Sequence, residues 1–239
     1  MNKKTALVFL FFLPILSEST ENPVLWDRWY TVTVGDKAHY GYYHDRVEIK
    51  ENKIFFQDHY WKNEEGFINE EHLGGLVQNN PELTPLSFNF QSKYRSTETK
   101  INGTAEGNIL NIKISKSNQE YPIIRKVMPK NMIFEVFFPV WIGKHMSTLK
   151  EGKMQTFLAL LEDNIEVGFS PVSGWVRKEK SDAFATKTKS QKITVNFQNS
   201  TSIWYVENTG APVKIVNQTQ RFTVEMSSEK VAKSFFSAL

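Results

Sequence analysis

Residues 29–61 read WYTVTVGDKAHYGYYHDRVEIKENKIFFQDHYW, and their alternation decides the fold class. Tyr30, Val32 and Val34 alternate with Thr31 and Thr33, the period of two expected of a strand with one buried face. Gly35-Asp36 supplies a tight turn, and a two-residue loop there sets Val34 against Lys37, Val32 against His39 and Tyr30 against Gly41. The Tyr30 phenol would then cover the glycine. A second turn falls at Glu51-Asn52, and its length determines every cross-strand pair that follows. With a two-residue loop, Ile49 faces Ile54, Val47 faces Phe56, Tyr43 faces Tyr60 and Asp45 faces Asp58. With a three-residue loop, Arg46 faces Asp58 and Asp45 faces His59, which pairs charges but spoils the apolar match. The first register builds one continuous apolar face and is preferred.

The same alternation recurs along the chain. Leu86, Phe88, Phe90 and Tyr94 form one strand, and Leu110, Ile112 and Ile114 form another after the Asn102-Gly103 turn signal. Residues 63–81, broken by Gly66, Gly74-Gly75 and Pro81, suggest a short strand with loops. Lys153 to Leu161 and Ile165 to Phe169 suggest a hairpin, and the Lys, Ser and Thr rich run 178–192 an exposed loop. Only the C-terminus has helical spacing: after Ser227, a candidate N-cap, Val231, Phe235 and Leu239 recur every four residues. The expected architecture is mainly β, a curved antiparallel sheet forming a half-barrel or open barrel with a C-terminal α-helix. A closed barrel is the alternative.

At the N-terminus, basic residues to Lys4, an apolar run from Ala6 to Leu16 and small residues at Ser17 and Ser19 form a secretory signal peptide pattern. The run is too short to span a bilayer, which takes about 20 apolar residues. Residues 1–19 are therefore expected to be removed, leaving 20–239 as a single β-rich domain in a bacterial periplasm or secreted. The chain has 29 Lys and Arg against 26 Asp and Glu. So even a mixture argues against a nucleic-acid partner. The absence of cysteine removes disulfides, thiolate metal sites, cysteine nucleophiles and a lipid-anchor cysteine. Stability must then come from the core, and roughly 220 residues can supply one.

Trp29-Tyr30 with Gly35 and Gly41-Tyr42, Pro85-Leu86-Ser87-Phe88, Ile101-Asn102-Gly103, Leu149 with Gly152, and Trp204-Tyr205-Val206 with Gly210 resemble the exported β-sheet domains related to the LolA/LolB lipoprotein carriers. Similar sheet domains precede transglutaminase-like domains in some bacterial proteins. The resemblance implies an incomplete barrel whose apolar concave face holds acyl chains. This chain departs from the carriers in having few helices to act as a lid.

Motifs for nucleophile elbows, zinc proteases, phosphate loops and dinucleotide folds are absent. The expected role is therefore non-catalytic, with no cofactor and no metal: binding of a lipid or lipoprotein acyl chain, or of an envelope protein partner. The residues proposed to line the site are Tyr30, Tyr43 and Tyr60 on the sheet and Phe137, Phe138 and Trp141 in the apolar run MIFEVFFPVWI (132–142). That run suits a buried strand, a short helix or an exposed lip, and the C-terminal helix is a further candidate to plug the hollow. Two polar pairs stand out. Asp45 facing Asp58 among tyrosines would hold one carboxyl protonated, acid/base equipment for an alternative hydrolase. His44 facing His59 on the other side of the sheet would bind a transition metal only with one more ligand.

Overall fold

The computed structural model describes residues 23–35, 38–64, 66–163, 165 and 168–234. The segment read as a signal peptide and the last turn of the C-terminal periodicity, with Phe235 and Leu239, lie outside them. The fold is mainly β, one large, mostly antiparallel sheet that is not closed.

The chain starts in the middle of the sheet. Strands β1 (Val24–Val34), β2 (Ala38–Lys50), β3 (Lys53–Glu64), β4 (Phe67–Gln78), β5 (Pro85–Tyr94), β6 (Thr97–Glu106) and β7 (Ile109–Lys116) meander outward to one edge, where short β8 (Gln119–Glu120) and β9 (Ile124–Val127) both pair with β7. The chain then crosses to the far edge through β10 (Met132–Phe134), a 3-10 turn (Glu135–Phe137) and helix α1 (Phe138–His145). There β10 joins β11 (Met154–Leu160) in parallel. From that edge β12 (Val172–Lys178), β13 (Gln191–Phe197), β14 (Ser200–Val206), β15 (Pro212–Asn217) and β16 (Phe222–Ser227) meander back until β16 pairs with β1. Helix α2 (Ala183–Thr188) bridges β12 and β13, and helix α3 (Glu229–Ser234) follows β16.

Phe88 and Ile112 from one arm share a single core cluster with Phe157, Val176 and Ile193 from the other. At about 4.8 Å between strands, a flat sheet would hold β7 and β11 more than about 50 Å apart. Curvature brings both arms around the crossing segment, which fills the hollow between them. Phe134 packs edge-on against Phe88 at 5.2 Å and Phe137 edge-on against Phe56 at 5.9 Å, while Phe138 lies tilted against Phe157 at 4.4 Å. Pro139 sits in the first turn of α1, where its missing N–H costs nothing. Glycines let the helix backbone touch the β14–β15 turn: a Cβ on Gly143 would run into the Thr209 carbonyl, and one on Gly210 into that of Pro139. The apolar run 132–142 is thus a strand and a helix, both in the core.

Several expectations need correction. The two-residue loop at Glu51-Asn52 is present, both residues having positive φ (50° and 58°), as a type I′ turn requires. The first hairpin differs. Val34 pairs with Ala38, Thr33 with His39 and Val32 with Gly41, so the turn holds three residues and Tyr40 is a bulge. Tyr30 consequently faces Tyr43, and it is Tyr60 that lies over Gly41. Residues 67–78 form a full strand because Gly74 and Gly75 make room, the first for the Asn89 side chain and the second for the Phe137 ring. β11 pairs with β12, and residues 166 and 167 of the expected partner segment lie outside the described residues. The Lys-rich run contains α2, capped by Asp182, whose side chain accepts from the Ala185 N–H at 2.9 Å. Helix α3 is capped one residue later than expected, by Ser228 accepting from the Val231 N–H. It rests on the outer face, where Lys233 lies 4.8 Å from the Trp29 ring, so it does not plug the hollow. No helix among the described residues is long and apolar enough to cross a membrane.

Candidate functional site

The crossing segment fills only part of the concave face. Beyond it, where β16 meets β1, β2 and β3, a second and smaller apolar cluster surrounds Tyr30, Val32, Ile215 and Val224. Here no other part of the described residues covers the sheet, which leaves a cleft of about 340 Å³. Its walls are Val32 and Val34 from β1, Tyr40 and Tyr43 from β2, Tyr60 from β3, and Phe222 and Val224 from β16, with Asp58 among them. The register explains the grouping, since Val32 pairs with Val224 and Val34 with Phe222, while Tyr43 lies between Tyr30 and Tyr60.

The three tyrosines form a cross-strand row. Tyr30 stacks on Tyr43 at 4.6 Å, and Tyr60 meets Tyr43 edge-on at 5.9 Å. Tyr30 is fully buried and donates its hydroxyl to the Pro212 carbonyl at 3.1 Å, so it supports the cleft from beneath. Tyr43 and Tyr60 reach the cleft itself. Burial pushes all three phenols well above their ordinary range and keeps them neutral. One rim of the cleft is polar. The Tyr40 hydroxyl donates to Glu64 at 2.9 Å, and Lys62 bridges Glu64 and Glu71 at 3.1 and 2.9 Å.

Next to the tyrosines, Asp45 and Asp58 pair across β2 and β3. Burial pushes the Asp45 carboxyl up to about 7, against the pull of the Trp26 indole and the Arg28 guanidinium. Asp58 is driven well above the carboxylate range by desolvation first and by its neighbours Asp45, Glu71 and Glu135 second. Arg28, which pairs with Asp45 across β1 and β2, is engaged elsewhere: one of its nitrogens donates to both carboxylate oxygens of Glu207 at 2.9 Å. One oxygen of Asp45 and one of Asp58 are buried without a hydrogen-bond partner. Both carboxyls are thus pushed toward their protonated forms, and a protonated Asp58 is a donor beside an apolar cleft.

The other residues singled out in the sequence are used differently. Phe137 and Phe138 are core, and Trp141 is 7% exposed against α1 and β11. Trp141 alone of the three reaches a cavity, one of about 620 Å³ that it shares with Lys130, His145 and Gln155. His44 and His59 do face each other, on the outer side of the sheet. Two acids with raised pKa values escaped the sequence reading: half-buried Glu135, pushed up to about 7 by desolvation, and buried Glu162, raised chiefly by desolvation and then by Glu135. The signal for Glu135 was there: it is the lone acid within MIFEVFFPVWI.

No protein-family model and no curated protein matches the chain. Among solved structures, the crystal structure of a DUF1089 family protein from Pseudomonas aeruginosa aligns over 86% of this chain and 95% of its own, at 11% identity and a TM-score of 0.39. A likeness at that level carries no argument about function.

Proposed function

We propose that the protein binds an apolar ligand, a lipid or lipoprotein acyl chain, on its concave face without transforming it. The observation that carries this reading is the uncovered cleft at Val32, Val34, Tyr43, Tyr60, Phe222 and Val224. Its volume is at the lower end for a small-molecule site, and its walls are almost wholly apolar with a few polar groups to fix orientation, as such sites require. Apolar surface left open to water is costly at roughly 25 cal/mol per Å², and a hydrocarbon tail in the cleft removes that cost. The Asp58 carboxyl, pushed toward its protonated form, and the Lys62 rim offer a donor and a cation to a polar head. The likeness to the LolA/LolB carriers and the exported context belong to the same proposal, with the ligand held by residues of the sheet rather than by the crossing segment.

The test is native mass spectrometry with lipid extraction on protein purified from its producing cells without detergent. Stoichiometric lipid in the wild type, lost in Phe222→Asp and Val34→Asp variants that keep their far-ultraviolet spectrum, is the expected result. An empty, folded wild type refutes it and points to a protein partner instead.

A second reading rests on one observation, the facing Asp45 and Asp58 carboxyls with raised pKa values. It makes the protein a hydrolase with one acid and one base. A turnover that survives in the lipid-free wild type and disappears in both Asp45→Asn and Asp58→Asn would establish it over simple binding.

A further inference from the structure

The outer face of β2, β3 and β4 carries a row of histidines. His44 pairs with His59 across β2 and β3, and His59 pairs with His72 across β3 and β4. One position along, Trp61 of β3 pairs with Glu70 of β4. Strand alternation thus sets two imidazoles and a carboxylate side by side, because residues two apart on a strand share a face. The ligand atoms of His59, Glu70 and His72 all lie within 4.8 Å of one another. His59 Nε2 is 2.6 Å from Glu70 Oε1, and His72 Nε2 is 3.4 Å from the same oxygen.

The geometry points to a site for a divalent transition metal, zinc or copper, held by His59, Glu70 and His72. Two imidazoles and one carboxylate suit these ions, and with bonds near 2.0–2.2 Å their ligand atoms sit about 3.3 Å apart. The His72–Glu70 separation already meets that spacing, while His59 and Glu70 need to open by less than about 1 Å. A fourth position faces a surface depression of about 340 Å³ that also borders His44 and Gln57. That is the open coordination of a site that exchanges water or ligand, rather than a closed structural one.

The surroundings hold the ligands in place. The His59 ring is sandwiched between Trp61 and His72, with centroids 3.5 Å away on each side, which fixes its orientation in advance. Arg46, the cation nearest the depression, is neutralised by Asp27 at 2.7 Å and Glu48 at 3.3 Å, and His44 is held by Asp27 at 2.6 Å. The three ligand side chains are between 27% and 42% exposed, so an ion can reach them from solution.

The test is equilibrium dialysis of the full chain against Zn²⁺ and Cu²⁺, with paramagnetic Ni²⁺ followed by NMR. About one equivalent should bind, with affinity falling tenfold or more in each of Glu70→Gln and His72→Ala and unchanged in His145→Ala, a histidine stacked on Trp141 far along the chain. In the unmutated protein, Ni²⁺ should broaden the ring signals of His59 and His72 before that of His145. This readout does not depend on any variant folding. Equal broadening of all three, no binding in the wild type, or wild-type affinity in the His59→Ala/His72→Ala double variant would each overturn the site.

Discussion

The concave face of one sheet is treated in two ways. On the side reached by the crossing segment, Phe134, Phe137 and Phe138 lie over Phe88, Phe56 and Phe157, and only the edge at Trp141, Phe157 and Leu158 borders a cavity. On the side where β16 meets β1, the same alternation supplies Val32, Val34, Phe222 and Val224, and among the described residues no segment covers them. Both regions obey the same strand physics. They differ in whether a piece of the chain itself fills the hollow, so the first region should govern stability and the second should be free to serve a ligand.

The sharpest way to break that contrast is to empty the filled side. Phe137 is fully buried against Phe56 and above Gly75. Phe137→Ala should cost about 3–5 kcal/mol, the loss of its apolar burial plus the cavity left behind. Chemical denaturation gives the number, and a cost under about 1 kcal/mol would mean that the segment is not the core of the hollow.

A smaller but more local probe is Gly210→Ala. Gly210 has φ +96°, and a Cβ there would meet the Pro139 carbonyl. Backbone strain of about 1–3 kcal/mol plus displacement of α1 should lower the melting temperature by several degrees. The same change at Gly35, which has positive φ but open space around it, should cost only the strain.

These features were unequally visible in the sequence. The Asp45–Asp58 and Tyr43–Tyr60 pairs were legible because Glu51-Asn52 fixes a two-residue turn and all partners lie within one hairpin. Tyr30 was misplaced by two residues, one from the longer first turn and one from the bulge at Tyr40, backbone events without a residue signature. Gly74-Gly75 looked like a strand breaker because the ring that needs the space, Phe137, is about sixty residues away. The β16 wall of the cleft was hidden for a similar reason, since Val224 pairs with Val32 from the opposite end of the chain. Local pairs can be read from the chain; a wall assembled from both ends cannot.

The boundary between the two regions should reveal itself through pH. Asp45 has a folded pKa of about 7 against an ordinary value of 3.8. Its neutral form is the one the fold favours, so this contribution is complete below about pH 4, falls as pH rises to about 7, and is constant above that. Asp45→Asn keeps the shape and removes the titration. The variant should be more stable than wild type at pH 8, by on the order of 2 kcal/mol after allowing for the lost attraction to Arg28, and should lose that advantage at pH 4. Parallel denaturation curves at both pH values provide the check, and an unchanged difference would mean that Asp45 is not desolvated.

The smallest effect is expected on the open side, and it separates stability from binding most cleanly. Phe222 lines the cleft, is half-buried, and has no part of the crossing segment over it. Truncation to Ala removes an aromatic wall but leaves no sealed cavity, because the space it vacates is already continuous with solvent, so the cavity cost that burdens Phe137→Ala does not arise. Phe222→Ala should therefore cost no more than about 1.5 kcal/mol in the ligand-free protein. If the cleft holds an apolar tail, the same variant should lose tenfold or more in affinity for that tail, a loss near 1.4 kcal/mol that appears only when ligand is present. Denaturation with and without added lipid measures both quantities on one sample. A Phe222→Ala variant as unstable as Phe137→Ala would show that the two sides of the hollow are one core, and the cleft would lose its claim to be a site.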